Sequence, residues 1–158
     1  MPPQLADEVV RILRAAGWQE GRRVDTYEER RYLEEFGFTV NPAAESFLAE
    51  FHGLHFDLPN GPHDFDVHKA AFWMTKEEVP FVNRLTDELL CPVGYGGRTY
   101  MLLSPSSKAV FLHDEWLGHI GPVDLPEAMR IFLCSPSLGA SRWAALAEHQ
   151  KPVEYRGE

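Results

Sequence analysis

Cysteine is scarce in this chain: among its 158 residues there are two, Cys91 and Cys134, far apart in sequence. Two distant cysteines do not make a disulfide framework, and the simplest reading is a pair of reduced thiols in a cytosolic protein. Long apolar runs are missing as well. No stretch approaches the roughly 20 residues that a transmembrane helix needs. The segment Met1 to Glu8 lacks a basic region followed by an apolar run, so no secretory signal is expected. HExxH and CxxC patterns are absent, as are internal repeats, low-complexity segments and linkers. Positive charge is in the minority, with 15 Lys and Arg against 24 Asp and Glu, a net charge of −9. Such a surface repels nucleic acid and anionic membranes and attracts a basic partner. Acidity also serves plain solubility in many cytosolic proteins. With 44% hydrophobic residues, the chain can bury a core without disulfides or metal. The expectation is one soluble, cytoplasmic domain over residues 1–158, with a short polar tail from about Gln150.

What is present is a succession of helices followed by strands. Leu5, Val9, Ile12, Leu13 and Ala16 share one helical face, and Gly17 supplies a left-handed stop before Trp18. Asp25 with Glu28 forms a capping-box pattern for a second helix. Its Glu28, Glu29, Arg30, Arg31, Glu34 and Glu35 read as a solvated exterior. Leu33 and Phe36 point inward, and Gly37 ends it. Asn41-Pro42 opens a third helix with a capping amide and a first-turn proline. Phe47, Leu48 and Phe51 form its buried stripe, closed by Gly53. Leu54 to Leu58 alternates like a strand, Pro59 to Pro62 is a turn, and His63 to His68 resumes a weaker alternation. Thr75 with Glu78 is a further capping pattern, for a helix carrying Val82, Leu85 and Leu89. Gly94 to Arg98 reads as a loop. Thr99 to Leu103 and Ala109 to His113 flank a turn as a hairpin, and Trp116 to Ile120 adds a strand. Asp124 opens a helix with Met129, Phe132 and Leu133, and a short last helix from Ser137 carries Trp143 and Leu146. Helices first, strands next and a helix last is not a βαβ rhythm. It predicts an α+β fold, a mainly antiparallel sheet with several helices packed on it.

The order of these pieces resembles the SUKH superfamily of bacterial immunity proteins, most closely its third subfamily. The resemblance rests on the glycine stops at Ala15-Ala16-Gly17-Trp18, Glu35-Phe36-Gly37-Phe38 and Phe51-His52-Gly53-Leu54. It continues through Gly21 to Asp25, Asn41-Pro42, Cys91-Pro92-Val93-Gly94, the hairpin Thr99 to His113 and the stretch after Asp124. It runs from about Leu5 to about Cys134. The resemblance implies a SUKH-like fold and a non-catalytic protein that binds and neutralises a toxin encoded beside it. The histidine- and aspartate-rich segment from Pro59 to Lys69 matches no family pattern and is a candidate for the part that meets the partner.

Several constellations invite chemistry. His52, His55, His63 and His68 lie near Asp57, Asp64 and Asp66, from which a zinc or iron site could be assembled. Gly53 separates the first two rings at an expected helix end, and surface or loop histidines are the plainer reading. Asp64-x-Asp66 on a strand would put both carboxylates on one side, as an acidic binding patch. Cys91-Pro92 enters a strand, where cysteine acts as a small hydrophobe and not as a nucleophile. Gly94 to Arg98 leads into a strand and lacks the helix start of a phosphate cradle. Trp18 and Trp143 read as packing residues. Trp73 and Trp116, beside Lys76-Glu77-Glu78 and Asp114-Glu115, are candidate exposed anchors.

The function expected is therefore an immunity protein, without catalytic residues, cofactor or metal, that binds a basic toxin aimed at nucleic acid. Asp57, Asp64, Asp66, Trp73, Glu115 and Trp116 are its candidate partner-binding residues. The alternatives are a metal-dependent enzyme centred on His52, His55, His63 and His68, and a regulatory interaction module of the same fold.

Overall fold

The computed structural model describes residues 5–59, 61–72, 76–113 and 119–134. Its first helix, α1 (Asp7–Ala15), buries Val9 and Leu13 and carries Asp7 and Glu8 in its first turn, where the helix dipole favours acid. After it, Gly17 takes φ +111 and the Trp18 amide returns to the Leu13 carbonyl at 3.0 Å, the expected left-handed ending. Helix α2 (Tyr27–Phe36) ends the same way at Gly37, with the Phe38 amide on the Leu33 carbonyl at 2.9 Å. Its start differs from the predicted capping box. Thr26 occupies the cap without a side-chain bond, while the Asp25 carboxylate accepts from the Tyr27 amide at 3.0 Å.

Helix α3 (Pro42–Phe51) begins as the sequence indicates, with Asn41 Oδ1 accepting from the Ala44 amide at 2.7 Å. The same amide group donates from Nδ2 to the Leu103 carbonyl at 3.3 Å, tying the helix start to the sheet. At the other end, Arg22 donates to the Glu50 and His52 carbonyls at 2.7 and 2.8 Å. Those are the free carbonyls of a helix terminus, and the guanidinium satisfies them.

Strands β1 (His55–Leu58) and β2 (Gly61–Asp64) form the first antiparallel pair. The chain then makes α4 (Val67–Phe72), a single 3-10 turn at Lys76–Glu78 and the short α5 (Val79–Val82) before returning to the sheet. Strands β3 (Cys91–Gly96), β4 (Thr99–Leu103), β5 (Lys108–His113) and β6 (His119–Asp124) complete it, and α6 (Leu125–Cys134) follows. The sheet order is β1-β2-β3-β4-β5-β6, each neighbour antiparallel. This is the α+β class that the order of sequence signals predicts.

Three expectations need correction. The alternation expected to run on to His68 stops at Asp64, and Val67 opens α4 instead. The reason is local: Asp66 Oδ1 accepts from the His68 and Lys69 amides at 2.8 and 3.2 Å, so it caps a helix. The helix expected to reach Leu89 ends at Val82, and Leu89 is exposed. The Thr86 hydroxyl there donates to the Glu88 carbonyl and accepts from its amide, closing a turn in place of another helical turn. Gly94 and Gly96, expected in a loop, belong to β3, and the hairpin turns at Gly97-Arg98. Both glycines admit neighbours that a side chain would block. A Cβ on Gly96 would lie 2.3 Å from the His63 ring, and one on Gly94 would lie 3.1 Å from the Asp64 carbonyl and from Phe65.

The core is largely aromatic. Phe65, between β2 and α4, meets Phe47 at 5.0 Å, Phe56 at 5.3 Å and Phe132 at 5.2 Å between ring centroids. One side chain thus joins α3, β1 and α6, and α6 packs in turn on α1 and on β5. All five residues of β4 are buried, so the centre of the sheet is covered on both faces. The thiol of Cys91 lies in this core, and burial pushes it up to about 12. Trp18 stacks near Phe51 at 6.3 Å and donates to Glu50 at 3.1 Å, a packing role as its position after α1 suggests. No helix among the described residues is long and apolar enough to cross a membrane. The capping residue Thr75, the last helix expected from Ser137, with Trp143 and Leu146, and the tail lie outside the described residues.

Candidate functional site

The β1–β2 pair sorts its side chains by pleat. His55 lies opposite Asp64, and Asp57 opposite Pro62, on one face; Phe56 lies opposite His63 on the other. The second face is the core side. There His63 is buried against the edge of Phe132 at 4.9 Å, and its Nδ1 is 3.0 Å from the Gly61 carbonyl. Burial lowers its pKa below the usual histidine value. His63 is a packed residue, not a ligand facing solvent.

On the outer face, His55 stands between two carboxylates. Its Nδ1 is 2.7 Å from Asp64 and its Nε2 is 3.0 Å from Asp57. Those hydrogen bonds, the Asp64 bond first, raise its pKa and favour the imidazolium. Lys69, on the first turn of α4, reaches the same Asp64 oxygen at 3.2 Å. The Asp64 side chain is 11% exposed and that of Asp57 is 89% exposed. Asp57 is therefore the carboxylate that this cluster turns outward, while Asp64 holds His55 and Lys69 in place.

Asp66 does not join them. The structure separates the Asp64-x-Asp66 pair that a continuous strand would have aligned, because Asp66 is committed to the cap of α4. Beside it lies a second cluster. His68 Nδ1 is 3.6 Å from Asp66, and the His68 ring packs on Tyr32 at 4.4 Å. His52 Nε2 meets Glu29 at 3.2 Å, both side chains largely buried. So Glu29 is not part of the solvated exterior expected of α2; it turns inward to a histidine at the end of α3. Burial lowers the His52 pKa, partly offset by Glu29. Its buried Nδ1 has no hydrogen-bond partner. A neutral ring protonated on Nε2 accounts for both facts, since it donates to Glu29 and leaves only a lone pair unsatisfied.

The histidines thus serve different surroundings: His52 faces α2, His55 the outer sheet face, His63 the core and His68 Tyr32. Among the described residues no group of three or more His, Cys, Asp or Glu side chains is arranged to hold a metal ion. Of the candidate partner-binding residues, Asp57 and Asp64 are brought together through His55, and Asp66 is placed apart. Trp73, Glu115 and Trp116 lie outside the described residues. Lys69 is the participant that sequence reasoning missed. Asp66 as a cap, with Lys69 in the turn it starts, was the signal that could have found it.

The model of the SUKH-3 immunity protein family matches residues 5–128. That is most of the 158-residue chain, and the chain belongs to this family. No curated protein and no solved structure matches it significantly.

Proposed function

We propose that this SUKH-3 family member is the immunity component of a bacterial toxin system, acting in the cytoplasm by stoichiometric, non-catalytic capture of a cognate toxin. Membership of the family over residues 5–128 is the observation that carries the reading. The toxin is basic and acts on nucleic acid. Support for this comes from the net charge of −9, which attracts a cationic protein and speeds its capture. The docking surface includes the outward face of the β1–β2 pair, with Asp57 at its front, Asp64 supporting it and Asp66 at its border. Trp73 or Trp116, with Glu115, supplies the apolar anchor.

Binding kinetics against the product of the adjacent gene test the proposal. Asp57→Lys is the clean variant, because the Asp57 side chain is 89% exposed, touches only the exposed ring of His55 among the described residues, and supports no helix. It should slow association and leave the fold unchanged. Added salt should slow association of the parent protein, since the Debye length shrinks from about 10 Å at 0.1 M to about 3 Å at 1 M. Loss of a true anchor, Trp73→Ala or Trp116→Ala, should instead speed dissociation, costing about 2 kcal/mol or more. Unchanged association and unchanged protection of cells by Asp57→Lys would remove this face from the interface. If the neighbouring product does not bind at all, a regulatory module without a toxin replaces the immunity reading.

A further inference from the structure

A groove unrelated to the acidic face lies between the 21–26 segment, the outer side of α3 and the turn joining β4 to β5. Its volume is about 580 Å³, and a recess of about 350 Å³ shares Arg23, Pro42 and Ser46 with it. That size falls within the range of ordinary ligand sites. Pro42, Pro105 and Leu125 give it apolar sides.

Most charged groups around it are already hydrogen-bonded within the fold. Glu50 accepts from Trp18 at 3.1 Å, Glu45 pairs with Arg30 at 3.0 Å, and Asp25 accepts from the Tyr27 amide at 3.0 Å. Arg22 is held by the carbonyls that end α3. Arg23 borders both the groove and the recess, is exposed, and has no partner among the described residues. Hydrogen bonds to neutral groups leave charge in place, so Arg22, Arg23 and Glu50 give the groove's lining one net positive charge. In a chain with 24 acidic and 15 basic residues that is selective for sign, favouring one carboxylate and repelling a cation.

We propose that this groove docks a short extended segment of a protein partner that carries one carboxylate beside an apolar side chain. Arg23 takes the carboxylate, and the walls at Pro42, Pro105 and Leu125 take the apolar side chain. A phosphate group fits less well, because a doubly charged anion asks for several donors, and among the described residues lining the groove Arg23 is the one guanidinium not already held by backbone carbonyls. The site shares no residue with the acidic face, so it stands whether or not that face meets a toxin.

The test uses the full chain and two blocked pentapeptides, Leu-Glu-Phe-Asn-Leu and its uncharged counterpart Leu-Gln-Phe-Asn-Leu, followed by amide chemical shifts. The acidic peptide should shift Arg23, Ser46, Ser107 and Leu125. The uncharged peptide should shift the same residues and bind about three- to fivefold more weakly, the scale of one exposed ion pair. Arg23→Gln should weaken the acidic peptide by about the same factor and leave the uncharged one unaffected. Ser46→Trp, which fills the groove from an exposed helix position, should abolish the binding of both. Equal binding of the two peptides, shifts confined elsewhere, or none at millimolar peptide would overturn the proposal. So would inorganic phosphate moving these residues more strongly than the acidic peptide.

Discussion

Gly96 faces the His63 ring with no room for a methyl group. A Cβ there would meet the ring at 2.3 Å and the His63 Cα at 2.7 Å, so the backbone as well as the side chain would have to move. Gly96→Ala should destabilise the fold by about 1–3 kcal/mol in denaturant titrations. A midpoint equal to the parent's would mean that the two strands sit farther apart. His63 and His55 make a second test, because their surroundings push them in opposite directions. Burial lowers His63, whereas the carboxylates of Asp64 and Asp57 raise His55. Ring-proton titration should therefore place His55 above 6.5 and His63 below it. The stability consequences have opposite signs. The contribution of His55 is fully present below its unfolded value of 6.5 and is lost as pH rises through its raised folded value. That of His63 is present above 6.5 and is lost as pH falls through its lowered folded value. His63→Phe should accordingly reduce the loss of stability between about pH 8 and about pH 5. A steeper loss in the variant would reverse the assignment.

At the level of the element, α4 depends on a single side chain for its start. Asp66→Ala should cost about 0.5–2 kcal/mol, whereas Asp66→Asn, which keeps a capping oxygen, should cost much less. Asp57→Ala, at an exposed position of β1, should stay within roughly 0.5 kcal/mol of the parent. Thermal melts of the three variants check the order, and a larger loss at Asp57 would contradict the separation of roles. The same helix shows why some elements were legible and others were not. The β4–β5 hairpin announced itself through two apolar runs around a polar turn, and α3 through Asn41-Pro42. Around Asp64 the local signals competed. Phe65 and Val67 alternate with two aspartates as a strand would, and the helix won because Asp66 could cap it. The outer face could be suspected from its acid, but its geometry could not. Lys69 reaches Asp64 only once α4 has formed, and His63 is buried by Phe132, a residue far along the chain. Glu29 looked solvated among its charged neighbours, since nothing local indicates that His52 lies behind it.

Across the whole molecule, the Phe65 hub makes the core a shared resource of helices and sheet. Phe132→Ala and Phe47→Ala, at nearly full burial, should each cost about 3–5 kcal/mol. Both should lower the denaturant midpoint while leaving the slope near that of the parent, as expected where one cooperative unit unfolds. A shallow or biphasic transition would show instead that helices and sheet part company. The order of the sheet bears on how such a unit comes into being. Every strand pairs with its predecessor in sequence, so a growing chain can add each one to an edge already laid down. Apart from β2 with β3, which residues 65–90 separate, these pairings close short loops, which lowers contact order and speeds folding. The helices add contacts of longer range, and that of α6 with α1 spans most of the described chain, because it joins the last described helix to the first. During synthesis, then, the sheet can zip in register as it emerges, but the aromatic hub lacks Phe132 until α6 is made. Nascent chains ending at His113 should exchange their amide hydrogens far faster than chains ending beyond Cys134. Competence to meet a partner would arrive late and abruptly, with the closing helix.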